Sequence, residues 1–200
     1  MTEYYYSTQP TAAHDEQTFS FSLLGSNLRF ITDSGVFSRR TVDYGSRTLL
    51  TALEQAEITP RKVLDVGCGY GPLGIALARR FSASRVTMSD VNERALALAR
   101  RNAAANHVKN VMICQSDGYA MLSATDYDLV VTNPPVRAGK KVVHEILAGA
   151  FDHLVSGGAL YVVLQKKQGA PSAKKLMETT FGNCQVVLKQ KGYYVLRSER

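Results

Sequence analysis

The sequence predicts a doubly wound α/β fold: a seven-stranded, mostly parallel sheet whose last strand is antiparallel, preceded by a β-hairpin. Three observations predict it. From Val63 onward, short β-type runs alternate with segments of helical spacing, the pattern of parallel strands joined by crossover helices. Tyr127 to Thr132 and Ala159 to Leu164 are nearly continuous apolar runs, as expected of strands covered on both faces. Gln185 to Leu188 and Tyr193 to Leu196 flank Lys191-Gly192, a hairpin signal that reverses the final strand.

In chain order, residues 1–15 read as a polar, loosely packed arm and 16–32 as the hairpin. Phe19, Phe21 and Leu23 alternate onto one face, Gly25-Ser26-Asn27 has turn chemistry, and Leu28 to Ile31 runs back. Residues 33–200 form the core. Val42, Leu49, Leu50 and Leu53 give a helix from Thr41 to about Ala56, and Pro60 ends that segment. The apolar run from Val63 that ends in the acid Asp65 is the first core strand. Pro72 then suits the first turn of a helix on which Leu73, Ala76, Leu77 and Phe81 recur. Arg85 to Ser89 is a strand that ends at Asp90. Asn92 caps the next helix, Glu93 to about Ala105, and Asn106 stops it. Val111 to Cys114 is the third strand, and Tyr127 to Thr132 the fourth. A helix from about Lys141 to Val155 carries Val143, Ile146, Leu147, Ala150, Phe151 and Leu154 on one face. Gly157-Gly158 turns the chain into Ala159 to Leu164. Pro171 opens a short helix that ends near Phe181.

Composition narrows the function. The net charge is +7 and the pI about 9.4, which favours a polyanionic partner, because Lys and Arg displace counterions from phosphates. Basic pairs stand at Arg39-Arg40, Arg100-Arg101, Lys140-Lys141, Lys166-Lys167 and Lys174-Lys175. No apolar run reaches the length of a membrane span. The polar N-terminus lacks the charged and apolar regions of a secretion signal. Cys68, Cys114 and Cys184 have no paired spacing and read as small buried hydrophobes, so a reduced, cytoplasmic setting is expected. His14, His107, His144 and His153 make no metal-ligand pattern, and no metal is expected.

The chain is organised around Asp65-Val66-Gly67-Cys68-Gly69-Tyr70-Gly71-Pro72-Leu73-Gly74, a strand, a glycine turn and a helix start. Gly67, Gly69 and Gly71 permit positive φ and close approach of a ligand to the main chain. A dinucleotide fingerprint counted from Gly67 would need glycine where Pro72 stands, and Asp65 would repel a pyrophosphate. A carboxylate beside the loop suits a cationic amino-acid ligand. A tight βα turn without a ligand is the competing interpretation.

Asp65, Asp90, Asp117 and Asn133 all fall at the carboxyl ends of predicted strands, the rim where open α/β sheets bind ligands. A carboxylate at Asp90 can accept both hydroxyls of a ribose, although it could also serve as a helix cap. Asp117 could equally make a turn before Gly118. In Asn133-Pro134-Pro135 the prolines fix the loop and hold two acceptors, the Asn133 amide oxygen and the Pro134 carbonyl. An exocyclic NH2 could donate one hydrogen to each. Its lone pair, otherwise delocalised into a ring, would then be freed for attack.

This set, with Ser116-Asp117-Gly118, resembles the small methyltransferase domain of bacterial 16S rRNA guanine-N2 methyltransferases (RsmC-type), over roughly residues 28–197. The resemblance implies a class I methyltransferase (Rossmann-like) fold and S-adenosylmethionine (SAM) as cofactor. It also implies guanine N2 of 16S rRNA as target, in naked rRNA or the small ribosomal subunit. It assigns Asp117 to the adenine amine. It also reads Ser34 to Ser38, with Phe37, and downstream Asp43 as the approach to the cofactor. Two departures stand out. Val136 takes a place where the family often has an aromatic residue for stacking on the base, leaving Arg137 or Phe37 to hold it. The additional N-terminal domain of longer members has no counterpart here. Arg137, Lys140 and Lys141 could grip phosphates while a base is flipped into the pocket. A monomer is expected.

Three rivals are weighed. A protein glutamine N5-methyltransferase would use the same Asn-Pro-Pro chemistry, but Val136 and the hairpin argue against it. A dehydrogenase conflicts with Pro72 and Asp65. A catalytically silent RNA-binding or ribosome-assembly factor conflicts with the intact acids and Asn133.

Overall fold

The computed structural model describes residues 12–200, so the first eleven residues of the predicted arm lie outside the described residues. The hairpin comprises β1 (Gln17–Leu23) and β2 (Ser26–Thr32). The core then runs α1 (Tyr44–Gln55), β3 (Lys62–Val66), α2 (Pro72–Arg80), β4 (Arg85–Asp90), α3 (Glu93–Ala105), β5 (Val111–Gln115) and β6 (Tyr127–Thr132). It closes with α4 (Lys140–His153), β7 (Leu154–Gln165), α5 (Ala170–Phe181), β8 (Gln185–Gln190) and β9 (Tyr193–Glu199).

The seven-stranded sheet has the order β5-β4-β3-β6-β7-β9-β8. The pairs β5/β4, β4/β3, β3/β6 and β6/β7 are parallel, and β9 is antiparallel to both neighbours. The doubly wound expectation is met, including the reversed last strand. The side-chain period of two divides the buried strand residues between the faces. Val63, Leu129, Val131, Tyr161 and Val163 join α1, α2, α3 and the hairpin in one core. Leu64, Val66, Val130, Leu160, Val162 and Leu164 join α4 and α5 in the other. Central strands are thus buried on both sides, as their continuous apolar runs require.

Some boundaries differ for local reasons. The hairpin turn is Leu24-Gly25, both at positive φ, and Leu23 pairs with Ser26. A two-residue turn of this kind matches strand twist better than the longer turn expected at 25–27. The first core helix starts at Tyr44 rather than Thr41, because Asp43 is extended and its carboxylate accepts from Ser46 N–H at 3.1 Å. Gly157-Gly158 does not separate helix from strand. Leu154, expected on the helix, already pairs with Tyr127, and the register then jumps to Leu129 with Ala159. The glycines form an irregularity inside β7, and a Cβ on Gly158 would come within 2.9 Å of the Tyr127 carbonyl. Cys114 and Cys184 are only partly buried, unlike Cys68.

The hairpin is fastened more firmly than its sequence shows. His14 pairs with Asp33, and Arg39 reaches the Asp15 carboxylate at 2.5 Å, so polar contacts tether the exposed end of the arm. On α3, Asn102 and Asn106 lie one turn apart and bond the outer edge of β2 as a neighbouring strand would. Asn102 accepts from Ile31 N–H at 2.7 Å and donates to Ile31 C=O at 2.9 Å; Asn106 does the same for Arg29 at 2.9 and 2.7 Å. Asn102 also donates to Tyr70 C=O at 2.9 Å, which ties the hairpin to the glycine loop. Phe19 and Phe30 meet the Tyr70 ring edge-on at 6.3 and 5.7 Å. Asn102→Ala should therefore cost about 2–4 kcal/mol in urea unfolding, three bonds being lost and buried backbone groups left unpaired. A loss below about 1 kcal/mol would mean that apolar packing alone holds the hairpin.

Candidate active site

Strand order reverses between β3 and β6, and a cavity of about 250 Å³ opens at their carboxyl ends. The glycine loop forms one wall. Gly67, Gly69 and Gly71 have φ of 73°, 58° and 97°. Gly67 N–H and Cys68 N–H both donate to Ser89 C=O, at 2.8 and 2.9 Å, pinning the loop to the end of β4. A Cβ on Gly67 or Gly69 would meet nothing within 4 Å, so the space above those two is open. A Cβ on Gly71 would lie 2.7 Å from Met88 Cε, and one on Gly74 2.5 Å from Met88 Cγ. Gly71 was expected at the cofactor; it faces the core and serves packing.

Asp65 also differs from expectation. It is fully buried behind the loop and absent from the cavity wall. Its Oδ2 accepts from Gly74 N–H at 2.9 Å, capping α2 from the neighbouring strand where Gly71 offers no side chain. Its Oδ1 has no hydrogen-bond partner. Burial pushes its pKa up to about 7, and the nearby Asp90 adds to that rise.

Asp90 reaches the wall as the strand-end rule requires. Its Oδ2 accepts from Gly69 N–H at 2.8 Å and its Oδ1 from Asn92 N–H at 2.9 Å. Burial raises its pKa, and the backbone N–H groups oppose that rise. Each oxygen keeps lone-pair capacity for a further donor. Asp117 does not join it. Ser116 and Gly118 border the cavity, whereas Asp117 is exposed and outside the wall. Gly118, at φ 52°, and a bond from Ser116 Oγ to Gly118 C=O at 3.0 Å fold the segment into a compact turn.

Asn133, Pro134 and Pro135 line the opposite wall. Asn133 Nδ2 donates to Asp43 Oδ1 at 2.9 Å and to Ser46 Oγ at 3.1 Å. Both amide hydrogens are thereby engaged, and Oδ1 is the atom left to accept from a ligand. Pro135, at φ −75° and ψ 79°, makes an inverse γ-turn in which Val136 N–H donates to Pro134 C=O at 2.9 Å. One Pro134 lone pair is used locally and the second is available. Val136 is half-buried in the wall. Phe37, 46% exposed, and Arg137 line the cavity as well. Lys140 and Lys141, exposed at the start of α4, lie outside the wall, and Lys141 reaches Glu145 at 3.8 Å.

Two wall residues escaped the sequence reading. Gln165 ends β7 and Tyr193 begins β9; the Gln165 amide donates to the Tyr193 hydroxyl at 2.7 Å. Gln165 follows the same strand-end logic as Asp90 and Asn133. Tyr193 reaches the rim because β9 runs the other way, bringing its first residue to that end.

The family description "Methyltransferase small domain" matches residues 27–197. The chain belongs to the methyltransferase small domain family. It is 47% identical, over the full length of both chains, to the uncharacterized protein YbxB of Bacillus subtilis. It is 31% identical to ribosomal RNA small subunit methyltransferase C of Actinobacillus pleuropneumoniae, covering 96% of this chain and 58% of that protein. Among solved structures it is similar to the 16S rRNA N2 methyltransferase RsmC of T. thermophilus in complex with AdoMet and guanosine. That match has a TM-score of 0.84 and 30% identity over 92% of this chain and 50% of the other. The chain thus spans about half the length of these rRNA methyltransferases. Within this small-domain fold the cavity occupies the switch point of the sheet, and the expected class I architecture holds throughout.

Proposed function

We propose that this methyltransferase small domain binds SAM and methylates an exocyclic amine, guanine N2 of 16S rRNA. The observation that carries the reading is the held amide of Asn133, whose Nδ2 is fully engaged and whose Oδ1 is presented as an acceptor. The wall residues fit the cofactor. Gly67 and Gly69 leave an open cradle for a nucleoside and its amino-acid tail, and the Asp90 carboxylate suits ribose hydroxyls. When bound, SAM supplies an electrophilic methyl on a sulfonium. The chain's own task is positioning. Asn133 Oδ1 and the second lone pair of the Pro134 carbonyl accept the two amine hydrogens, which favours a pyramidal nitrogen. The amine nitrogen would take the methyl as S-adenosylhomocysteine leaves with the neutral sulfur, and would then release one proton to water. Fixed acceptors near the developing charge therefore do most of the work, without a strong base.

The RNA reading rests on charge around the mouth. Arg137, Lys140 and Lys141 flank one side; Lys166, Lys167 and Lys191 stand at the same end of the sheet, where Lys166 N–H donates to Gly192 C=O at 2.8 Å. Reversing Lys140 and Lys141 to Glu should weaken rRNA binding and flatten log Kd against log salt by about one to two. An unchanged slope would return both lysines to a merely solvated helix face.

The direct test is transfer of labelled methyl from SAM to naked rRNA, small subunits and total protein from a strain lacking this protein. Label that digests to N2-methylguanosine is expected. Label in protein glutamine would overturn the RNA reading in favour of the amide rival. SAM binding without label in any substrate would favour a silent assembly factor.

A further inference from the structure

We infer that Asp43, with Ser46, is a positioning residue for transfer: it fixes which end of the Asn133 amide faces the substrate. This rests on the proposed amine chemistry and concerns a residue otherwise expected only along the approach to the cofactor.

An asparagine amide can face a ligand with its oxygen or its nitrogen, and the two ends differ in shape very little. Only the oxygen accepts from an amine. An Asn133 turned the other way would present two hydrogens to the substrate's own hydrogens. A carboxylate settles the choice, because it accepts and never donates. Asp43 Oδ1 lies 2.9 Å from Asn133 Nδ2, and Ser46 Oγ lies 3.1 Å from the same nitrogen. Asp43 is itself held, since the same Oδ1 accepts from Ser46 N–H at 3.1 Å as the N-cap of α1. The cap therefore couples the first turn of α1 to the loop after β6. Gly45 permits this closeness: a Cβ there would stand 3.0 Å from Asp43 Oδ1 and 3.4 Å from Asn133 Nδ2.

Substitutions can separate the cap from the amide lock. Serine is as good an N-cap as aspartate, but its single oxygen sits one bond nearer the backbone and falls short of Asn133. Asparagine at 43 keeps an acceptor for both donors. Asp43→Ser should keep the thermal midpoint of the wild type yet lower kcat about 30- to 100-fold on unmodified 16S rRNA, with the Kd for SAM within about twofold. Asp43→Asn should recover most of that loss. Ser46→Ala, which keeps the cap, should lower kcat by about five- to tenfold.

A second readout needs no RNA. The Asn133 side-chain NH2, assigned by its disappearance in Asn133→Ala, should show slow hydrogen exchange in the wild type and Asp43→Asn and fast exchange in Asp43→Ser. Slow exchange retained in Asp43→Ser would overturn the lock even if the enzyme methylates a different substrate. A wild type inactive on RNA but showing the expected exchange pattern would instead fail the proposed function and leave the geometry standing. Equal losses of SAM affinity and kcat in Asp43→Ser would reassign Asp43 to the cofactor.

Discussion

Asn133→Ala is expected to lower kcat for methyl transfer about 100- to 1,000-fold and leave the Kd for SAM within about twofold. The size follows from the loss of one pre-set hydrogen-bond partner at the reacting group. The separation of effects follows from placement. Asn133 stands after β6, whereas Gly67 and Gly69 follow β3 and Asp90 ends β4. Truncation leaves Asp43 Oδ1 with Ser46 N–H, and Ser46, which is buried but borders the cavity, can take a water in place of the amide. Folding stability should consequently change little. The substrate would still enter, but one amine hydrogen would lack its acceptor and the nitrogen would keep its lone pair in the ring. Comparing kcat with KM for rRNA shows this directly, because kcat should fall while KM stays nearly unchanged. Transfer within about threefold of the wild type would sink the amine-positioning mechanism. The cofactor assignment would be untouched.

What the sequence made legible was chiefly backbone. Strand ends fall where an apolar run meets a polar residue, and that single rule located Asp90 and Asn133 on the rim. The rule fails where it cannot see direction. Asp65 occupies a strand end by residue type, yet its side chain turns beneath the loop to cap α2. Asp117 is near a strand end, but the turn at Gly118 leaves it outside the wall. Gln165 satisfies the rule too, but no rigid motif such as Asn-Pro-Pro follows it to mark it. Glycine spacing likewise marked the loop without dividing its labour, for only the neighbours of each Cβ position separate Gly67 and Gly69 from Gly71.

The remaining illegible features are contacts between segments far apart in the chain. Asn106 reads as a helix stop, and in the fold it is one; the same side chain also holds Arg29, 77 residues away. Asp43 reads only as part of the approach to the cofactor; in the fold it is the N-cap of α1, and its partner Asn133 is 90 residues distant. In both cases a local helix-end role is sufficient to explain the residue type, so a single sequence does not reveal the distant partner. Asp43 borders the cavity, whereas Asn106 ends α3 against the hairpin. The hairpin touches the glycine loop through the Tyr70 ring and is tied to it by Asn102, without lining the cavity itself.

Asp90→Ala should weaken SAM binding about 100-fold. Two hydrogen bonds from ribose hydroxyls to a carboxylate are worth about 3 kcal/mol together, and 1.4 kcal/mol is a factor of ten. The same substitution also removes the acceptor for Gly69 N–H and Asn92 N–H, so a bare loss of affinity could come from a slackened loop. The ligand can separate the two causes. Adenosine and 2′-deoxyadenosine differ by one hydroxyl, and both meet the same loop. If Asp90 holds the ribose, the wild type should prefer adenosine by about tenfold and Asp90→Ala should bind the two alike. If Asp90 only braces the loop, both nucleosides should weaken together and the preference should survive. Calorimetry on the two proteins with the two nucleosides gives the coupling directly, because loop effects common to both ligands cancel in the cycle. A surviving preference would remove Asp90 from the cofactor contacts and leave it as the brace that holds Gly69 in place.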